Sequence, residues 1–185
     1  MNDWGKITGF SKKEFEPPYE VSHEWDMHPT LIKRLQLIRD AGLSKYTKFR
    51  IIIHENGGYS TQGHSKTSLH YGDSSAKESG LTERVGRAVD FHCETWSETH
   101  KCWVLVSWFD QVFLVYPELS QYEWGLGLHP EWNSSGFHLD YRGGCRNPAV
   151  WWKGDEYKSY PFSEFTKALE DVIKREHSEG RVLRS

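Results

Sequence analysis

The segment Arg87-Ala88-Val89-Asp90-Phe91-His92 decides the fold of this chain, because its apolar and β-branched residues predict a short strand. Successive side chains of a strand point to opposite faces, so Ala88 and Asp90 share one face. Residues 124–128 and 136–141 predict two further strands around a polar turn, and there His138 and Asp140 share a face. Within each of these strands, the acidic or histidine side chains therefore lie on a single face.

The region before this segment predicts a helix followed by a strand. Residues 29–41 repeat apolar side chains at helical spacing, with Pro29 in the first turn and Gly42 as the stop. Residues 49–53 are rich in isoleucine and predict a buried strand.

The region after it is more ambiguous. Residues 97–116 favour a helix, although their β-branched content leaves a strand open as the alternative. Residues 162–177 predict a last amphipathic helix capped by Ser163. Because helices and strands are interspersed, we expect an α+β fold. We expect an N-terminal arm over 1–24 and a single domain over 25–185.

Composition narrows the classes of function. The chain has 185 residues, with 23 basic against 26 acidic side chains and a formal net charge of −3. No strongly basic field is available to a phosphate backbone, so we expect no nucleic-acid partner. Mean hydropathy is −0.72, and no apolar stretch approaches the roughly 20 residues that cross a bilayer. We therefore expect no membrane partner.

The start of the sequence and its cysteine content bear on localisation. Residues 1–6 contain no apolar signal core, so we expect no secretory signal peptide. The three cysteines are too few for a disulfide scaffold. We expect a protein that stays in the cytoplasm until it is released by another route.

Two motifs that suggest metal chemistry lack the required spacing. His23 and His28 are five residues apart, whereas the zincin helix needs an i, i+4 pair. His92-Cys93-Glu94 is not followed by the Pro-Cys-x-x-Cys of zinc deaminases. Neither motif predicts a metal site.

Three other segments together offer two histidines and one carboxylate, namely His70, Asp90 and His138. A catalytic zinc takes three protein ligands and keeps a fourth position open. Two neutral imidazoles and one carboxylate leave such a site at net charge +1, which lowers the pKa of bound water. Each of these residues alone is more often an ordinary hydrogen-bonded side chain, so only their combination predicts a zinc site.

These segments resemble a known family. Ser68-Leu69-His70-Tyr71 and Gly86-Arg87-Ala88-Val89-Asp90, followed by Gly136-Phe137-His138-Leu139-Asp140, resemble the signature of the zinc D-alanyl-D-alanine peptidases, whose superfamily includes the hedgehog signalling domain. The resemblance covers roughly residues 25–143. It implies a hedgehog/DD-peptidase-like fold, in which a small antiparallel sheet with flanking helices carries zinc on His70, Asp90 and His138.

The resemblance also implies an activity. Members of this family are metallopeptidases that hydrolyse peptidoglycan peptides next to D-amino acids, as carboxypeptidases or endopeptidases. Many are phage endolysins, which act in cell wall degradation and often lack a signal peptide. We therefore expect a zinc hydrolase that acts on peptidoglycan peptides as a monomer.

The general base is less well defined by the resemblance. Glu131 is the first choice, because a hedgehog-like arrangement has a Glu shortly before the last metal His. Many family peptidases have an acid three residues before that His, where this chain has Ser135. Glu123 and Asp140 therefore stay open as alternative bases. His64 matches a non-ligand His that would donate a hydrogen bond to the oxyanion.

Departures from the family pattern leave a second function open. Nineteen residues separate His70 from Asp90, and the excess forms a polar insertion over 72–85. The family's substrate-binding Arg motif is absent, since residues 56–60 are Asn-Gly-Gly-Tyr-Ser. Its absence favours an endopeptidase over a carboxypeptidase. The alternative is a non-catalytic, zinc-containing binding or structural module on the same fold.

Overall fold

This computed structural model describes residues 1–62, 68–70, 84–119, 123–143, 146–153, 157–181 and 183. Two predictions from the sequence concern residues outside those ranges, namely the role of His64 and the insertion as far as residue 83. The end of the insertion, Val85, lies in a two-residue strand.

Strands dominate the described part of the chain. They are β1 Asp26–Met27, β2 Phe49–Ile53, β3 Val85–Gly86, β4 Ala88–Ser97, β5 Cys102–Leu105, β6 Trp124–His129, β7 Gly136–Tyr141, β8 Ala149–Lys153 and β9 Tyr157–Pro161. Seven of them form one sheet in the order β2-β4-β7-β6-β8-β9, with β5 beside β4. β1 and β3 form a separate parallel pair.

Three α-helices of the described residues flank the sheet. They are α1 Pro29–Lys45, α2 Trp108–Val115 and α3 Phe165–Ser178. α1 packs on β2, and α3 packs on β8 and β9. This arrangement confirms the expected α+β class. Within the described ranges, none of the helices has the length and apolar character needed to span a membrane.

The sheet is mixed, so the expectation of a wholly antiparallel sheet was wrong. β6 and β8 run parallel, whereas the other neighbouring strands of this sheet are antiparallel. β7 already pairs with one edge of β6, so the chain crosses to the other edge before β8 begins. The β8–β9 hairpin itself was not predicted.

The predicted helix over 97–116 was wrong in its first half. β5, at Cys102–Leu105, pairs with β4 instead, and α2 begins only at Trp108. Ser107 explains the start of the helix, because its Oγ accepts a hydrogen bond from the Asp110 N–H at 3.2 Å. The strand that the β-branched content left open is therefore the right interpretation of 102–105.

Two predicted helix ends are also displaced. α1 continues past Gly42 to Lys45. A Cβ at Gly42 would lie 2.2 Å from the Phe49 ring, so this glycine lets the helix pack on β2 rather than ending it. α3 follows a 3-10 turn, and its N-cap is Glu164 without a side-chain cap, so Ser163 does not cap it.

Strand alternation gives the main sheet an apolar face and a polar face. The apolar face carries Val89, Phe91, Leu126, Leu128, Phe137, Leu139, Val150 and Trp152, which are buried in one core with the helices. The polar face carries Asp90, His92, His129, His138 and Asp140. The apolar face holds the domain together and leaves the polar face to form a site.

The N-terminal residues pack against the loop that follows β2. Phe10 and Phe15 are buried in the same core as the helices. The Phe15 carbonyl accepts a hydrogen bond from the Tyr59 N–H at 3.0 Å. Because a Cβ at Gly58 would lie 2.5 Å from the Phe15 carbonyl oxygen, Gly58 permits this close contact. Residues 1–24 thus support the loop that carries Gly58.

Candidate metal centre

Three pieces of chain bring His70, Asp90 and His138 together. Asp90 on β4 and His138 on β7 are direct partners in the antiparallel register. His70 lies in a loop, where its carbonyl accepts a hydrogen bond from the Ser60 N–H at 2.9 Å. The sheet therefore positions two members of the group, and backbone hydrogen bonding holds the third.

Each of these side chains presents one ligand atom to a common point. His70 Nε2 lies 3.1 Å from His138 Nδ1 and 3.4 Å from Asp90 Oδ1. His138 Nδ1 lies 2.7 Å from Asp90 Oδ1. Among the His, Cys, Asp and Glu side chains of the described ranges, this is the one group with metal-binding geometry. Its members are the three residues predicted from the sequence as metal ligands.

His70 is oriented by the loop beneath it. Its Nδ1–H donates to the Gly58 carbonyl at 2.9 Å, which leaves the lone pair on Nε2 facing Asp90 and His138. The ring is 1% exposed. A backbone carbonyl on the second ring nitrogen is the usual way in which proteins fix the tautomer of a metal-binding histidine.

His138 is oriented by a carboxylate on the same strand. Its Nε2–H donates to Asp140 Oδ2 at 3.3 Å, so Nδ1 is the ring nitrogen directed at the cluster. Asp140 in turn accepts from Arg142 Nε at 2.7 Å. The Arg142 guanidinium also lies 4.8 Å over the Trp151 ring, and that ring lies 5.2 Å from His138.

The charges around His138 stabilise a cation. Burial lowers the pKa of His138, but the Asp90 and Asp140 carboxylates outweigh burial and raise the pKa to about 9. Burial raises the pKa of Asp90, but His70 and His138 outweigh it and hold that pKa well below its ordinary value. Positive charge is therefore favoured between the two carboxylates, which is what a divalent cation requires.

The donor set fits zinc. Two imidazole nitrogens and one carboxylate oxygen are the ligands of an open, catalytic zinc site. Ligand atoms of a tetrahedral zinc, with bonds of about 2.0–2.1 Å, lie roughly 3.3 Å apart. The distances of 3.1 and 3.4 Å from His70 Nε2 are close to that spacing. The 2.7 Å between His138 Nδ1 and Asp90 Oδ1 is shorter and is the length of a direct hydrogen bond.

A second polar group lies beside the cluster on the same face. His129 Nδ1 and Glu131 Oε1 are hydrogen-bonded at 2.9 Å. Trp132 stacks on the His129 ring, with 4.0 Å between centroids and 4° between planes. His54 Nε2 lies 2.8 Å from His92 Nδ1. Burial, together with the charge of His92, lowers the pKa of His54 to about 4.

The candidate bases occupy different places. Glu131 contacts His129 rather than the three ligand atoms. Asp140 is engaged by His138 and by Arg142, so it positions a ligand. The Glu123 side chain is exposed. His64 lies outside the described residues.

The sequence analysis missed His54, His129 and Trp132 as parts of this surface. A signal existed for His129, because alternation along β6 places it on the same face as Gly127, the register partner of His138. His54 follows the end of β2, and Trp132 lies in the turn between β6 and β7, where no periodicity applies.

The chain was compared with protein-family models, curated proteins and solved structures. No family model, no curated protein and no solved structure matches the chain. A functional conclusion therefore depends on the site and on the sequence motifs.

Proposed function

We propose that this protein is a zinc-dependent peptidase that hydrolyses peptidoglycan peptides next to D-amino acids. The observation that carries the proposal is the convergence of His70 Nε2, His138 Nδ1 and Asp90 Oδ1 on one point. The resemblance of the surrounding segments to the D-alanyl-D-alanine peptidases supports the substrate class. An endolysin-type role in cell wall degradation agrees with both.

The reaction divides between the metal and the chain. His70, Asp90 and His138 would hold the zinc, which would supply the Lewis acidity that polarises a peptide carbonyl and makes water nucleophilic. Asp140 and Gly58 keep the two imidazoles in the tautomers that bind metal. A proton acceptor must then take a proton from the attacking water and return it to the leaving amine.

An endopeptidase is favoured over a carboxypeptidase. The loop over 56–60 contains no arginine that could bind a terminal carboxylate. Gly57 and Gly58 in this loop leave no space for larger side chains, because a Cβ at either would lie within 3.0 Å of backbone atoms. Arg142 is paired with Asp140. A substrate that needs no free C-terminus is therefore the better fit.

The test combines metal analysis of the purified protein with digestion of peptidoglycan, with and without a chelator. We expect one zinc per chain and chelator-sensitive release of peptides with new amino termini. His70→Ala should abolish both zinc binding and release. His100→Ala is the matched control, because His100 is exposed and belongs to no metal cluster of the described residues.

The same test addresses the alternative of a non-catalytic zinc-containing module. Ser135 is buried and has no carboxylate to act as a base, which is the observation that favours this alternative. Zinc without peptide release from several wall types would support the module and overturn the peptidase. Absence of zinc binding would overturn both.

A further inference from the structure

His129 and Glu131 form a hydrogen-bonded pair beside the metal centre. The direction of that hydrogen bond indicates which of the two residues can accept a proton from water. Glu131 Oε1 accepts the His129 Nδ1–H at 2.9 Å. We propose that His129 is the proton acceptor of this site and that Glu131 is a positioning residue that acts through it. This inference rests on the proposed peptidase function and changes the assignment of the base within it.

His129 lies on the face that carries the metal cluster. On β6, Gly127 is the register partner of His138, and His129 is the next residue on that face. A Cβ at Gly127 would lie 2.8 Å from His129 Nε2, 3.0 Å from His138 Cβ and 3.0 Å from Trp151 Nε1. Gly127 thus makes room for these three side chains and lets His129 Nε2 approach the His138 side chain.

The ring of His129 is held in one orientation. The carboxylate of Glu131 fixes one edge, and Trp132 stacks on one face at a centroid distance of 4.0 Å. With Nδ1–H donated to Glu131, the lone pair of the neutral ring lies on Nε2. In the Ser-His-Asp arrangement, a carboxylate likewise accepts one ring N–H of the histidine and so keeps the other ring nitrogen available as a base.

Glu131 itself is placed less well for proton transfer. It follows β6 by two residues, in the turn, and its Oε1 already accepts the His129 Nδ1–H. Its side chain is 22% exposed, against 10% for His129. The carboxylate can therefore stabilise an imidazolium at His129 without contacting the substrate.

The proton steps balance with this assignment. His129 Nε2 takes a proton from water as the water oxygen bonds to the peptide carbonyl carbon. The imidazolium, stabilised by Glu131, then gives that proton to the amide nitrogen as the C–N bond breaks. The products are a carboxylic acid and an amine, and His129 returns to its neutral state.

The first experiment determines the tautomer of His129 by NMR and does not depend on enzymatic activity. Long-range ¹H–¹⁵N correlation spectra of the full chain with one equivalent of zinc should show His129 as the Nδ1–H tautomer. The signal is assigned by its loss in His129→Gln. In Glu131→Ala, the ring should change to the Nε2–H form that free histidine prefers. An Nε2–H tautomer in the wild type would overturn the proposal.

The second experiment separates the two residues by kcat on a peptidoglycan peptide. His129→Gln should lose about 10²–10⁴-fold in kcat, with zinc content and the unfolding midpoint unchanged. Glu131→Gln should lose only about tenfold, because its amide oxygen still accepts the His129 Nδ1–H. His100→Ala should match the wild type.

The outcomes distinguish this inference from the proposed function. A wild type that releases peptides, with Glu131→Gln inactive and His129→Gln active, would overturn only the assignment of His129. A wild type that binds zinc and releases no peptide would overturn the peptidase and the assignment together. If His129→Gln does not fold, His129→Asn takes its place in assigning the signal, and the tautomer change in Glu131→Ala decides the positioning role.

Discussion

The two faces of the main sheet use the same strands for different purposes. On β7, Phe137 is fully buried against the helices, whereas the next residue, His138, keeps 17% of its side chain exposed and contacts Asp90. On β4, Phe91 and Asp90 show the same contrast. The apolar face stabilises the fold by removing apolar area from water, and the polar face is organised by hydrogen bonds and charge.

The apolar and polar faces also differ in the size of the side chains that β6 contributes to each. The positions that face the helices are Leu126 and Leu128, and those that face the site are Gly125 and Gly127. A Cβ at Gly125 would lie 2.5 Å from the Asp140 carboxylate. Leucines fill one face of the strand, whereas the glycines of the other face make room for polar side chains of the site. Substitutions on the two faces should therefore have separable effects.

The largest effect should come from the apolar face, in Phe137→Ala. Truncating a fully buried Phe removes contacts with the core and leaves a cavity, so we expect the free energy of unfolding to fall by about 3–5 kcal/mol. Urea unfolding of the metal-free protein measures it. If the protein folds, its zinc stoichiometry should stay unchanged, and selective loss of zinc would break the comparison.

Next should come Asp90→Asn, on the polar face of the neighbouring strand. Losing the anionic ligand should weaken zinc binding by more than about 100-fold, because the amide has no charge to balance the cation. Competition with a chromogenic chelator measures the affinity. Asp40→Asn, on the exposed side of α1, is the control. A larger loss of stability than in Phe137→Ala would contradict separable faces.

Asp140→Asn should have a smaller effect on the same binding constant. The amide oxygen can still accept the His138 Nε2–H, but one of the two carboxylate charges that raise the pKa of His138 is lost, while Asp90 stays. Removing a partner that orients a metal ligand typically costs about 10–100-fold in affinity. Equal losses in Asp140→Asn and Asp90→Asn would mean that Asp140 is itself a ligand.

The remaining prediction concerns the pH dependence of stability and the first turn of α1. Burial, with the Arg87 charge, lowers the pKa of His28 to about 4, and His28 Nδ1 accepts the Thr30 N–H that begins α1. A lowered pKa in the folded state stabilises the protein above pH 6.5, and this contribution is lost as the pH falls towards 4. Because the ring is partly exposed, we expect a contribution of about 2 kcal/mol.

The variant His28→Asn tests this directly, since Asn caps α1 at every pH. Urea unfolding of metal-free protein at pH 7 and pH 4.5 should show a smaller acid loss in the variant than in the wild type. An identical pH dependence would show that the other histidines account for the acid sensitivity.

Much of the sheet was predictable, because alternation is visible in short segments. β6, β7 and the shared face of His138 and Asp140 followed from it, and β2 followed from its β-branched run. β4 was predicted only as far as His92, whereas the strand continues to Ser97. β5 was mistaken for part of a helix because a short apolar, β-branched run fits either period. Gly42 was mistaken for a helix stop because its close contact with Phe49 forms only when α1 packs on β2. The peptidase activity and the role of His64 stay predictions.

The sequence by itself determined which side chains have the chemistry to bind a metal, and on which side of their strands Asp90 and His138 lie, because residue type and strand alternation are local properties. Only the tertiary structure decided the strand order, the parallel β6–β8 pair and the hydrogen bond that turns Glu131 towards His129. These depend on packing between distant segments and on the course of the turn after β6.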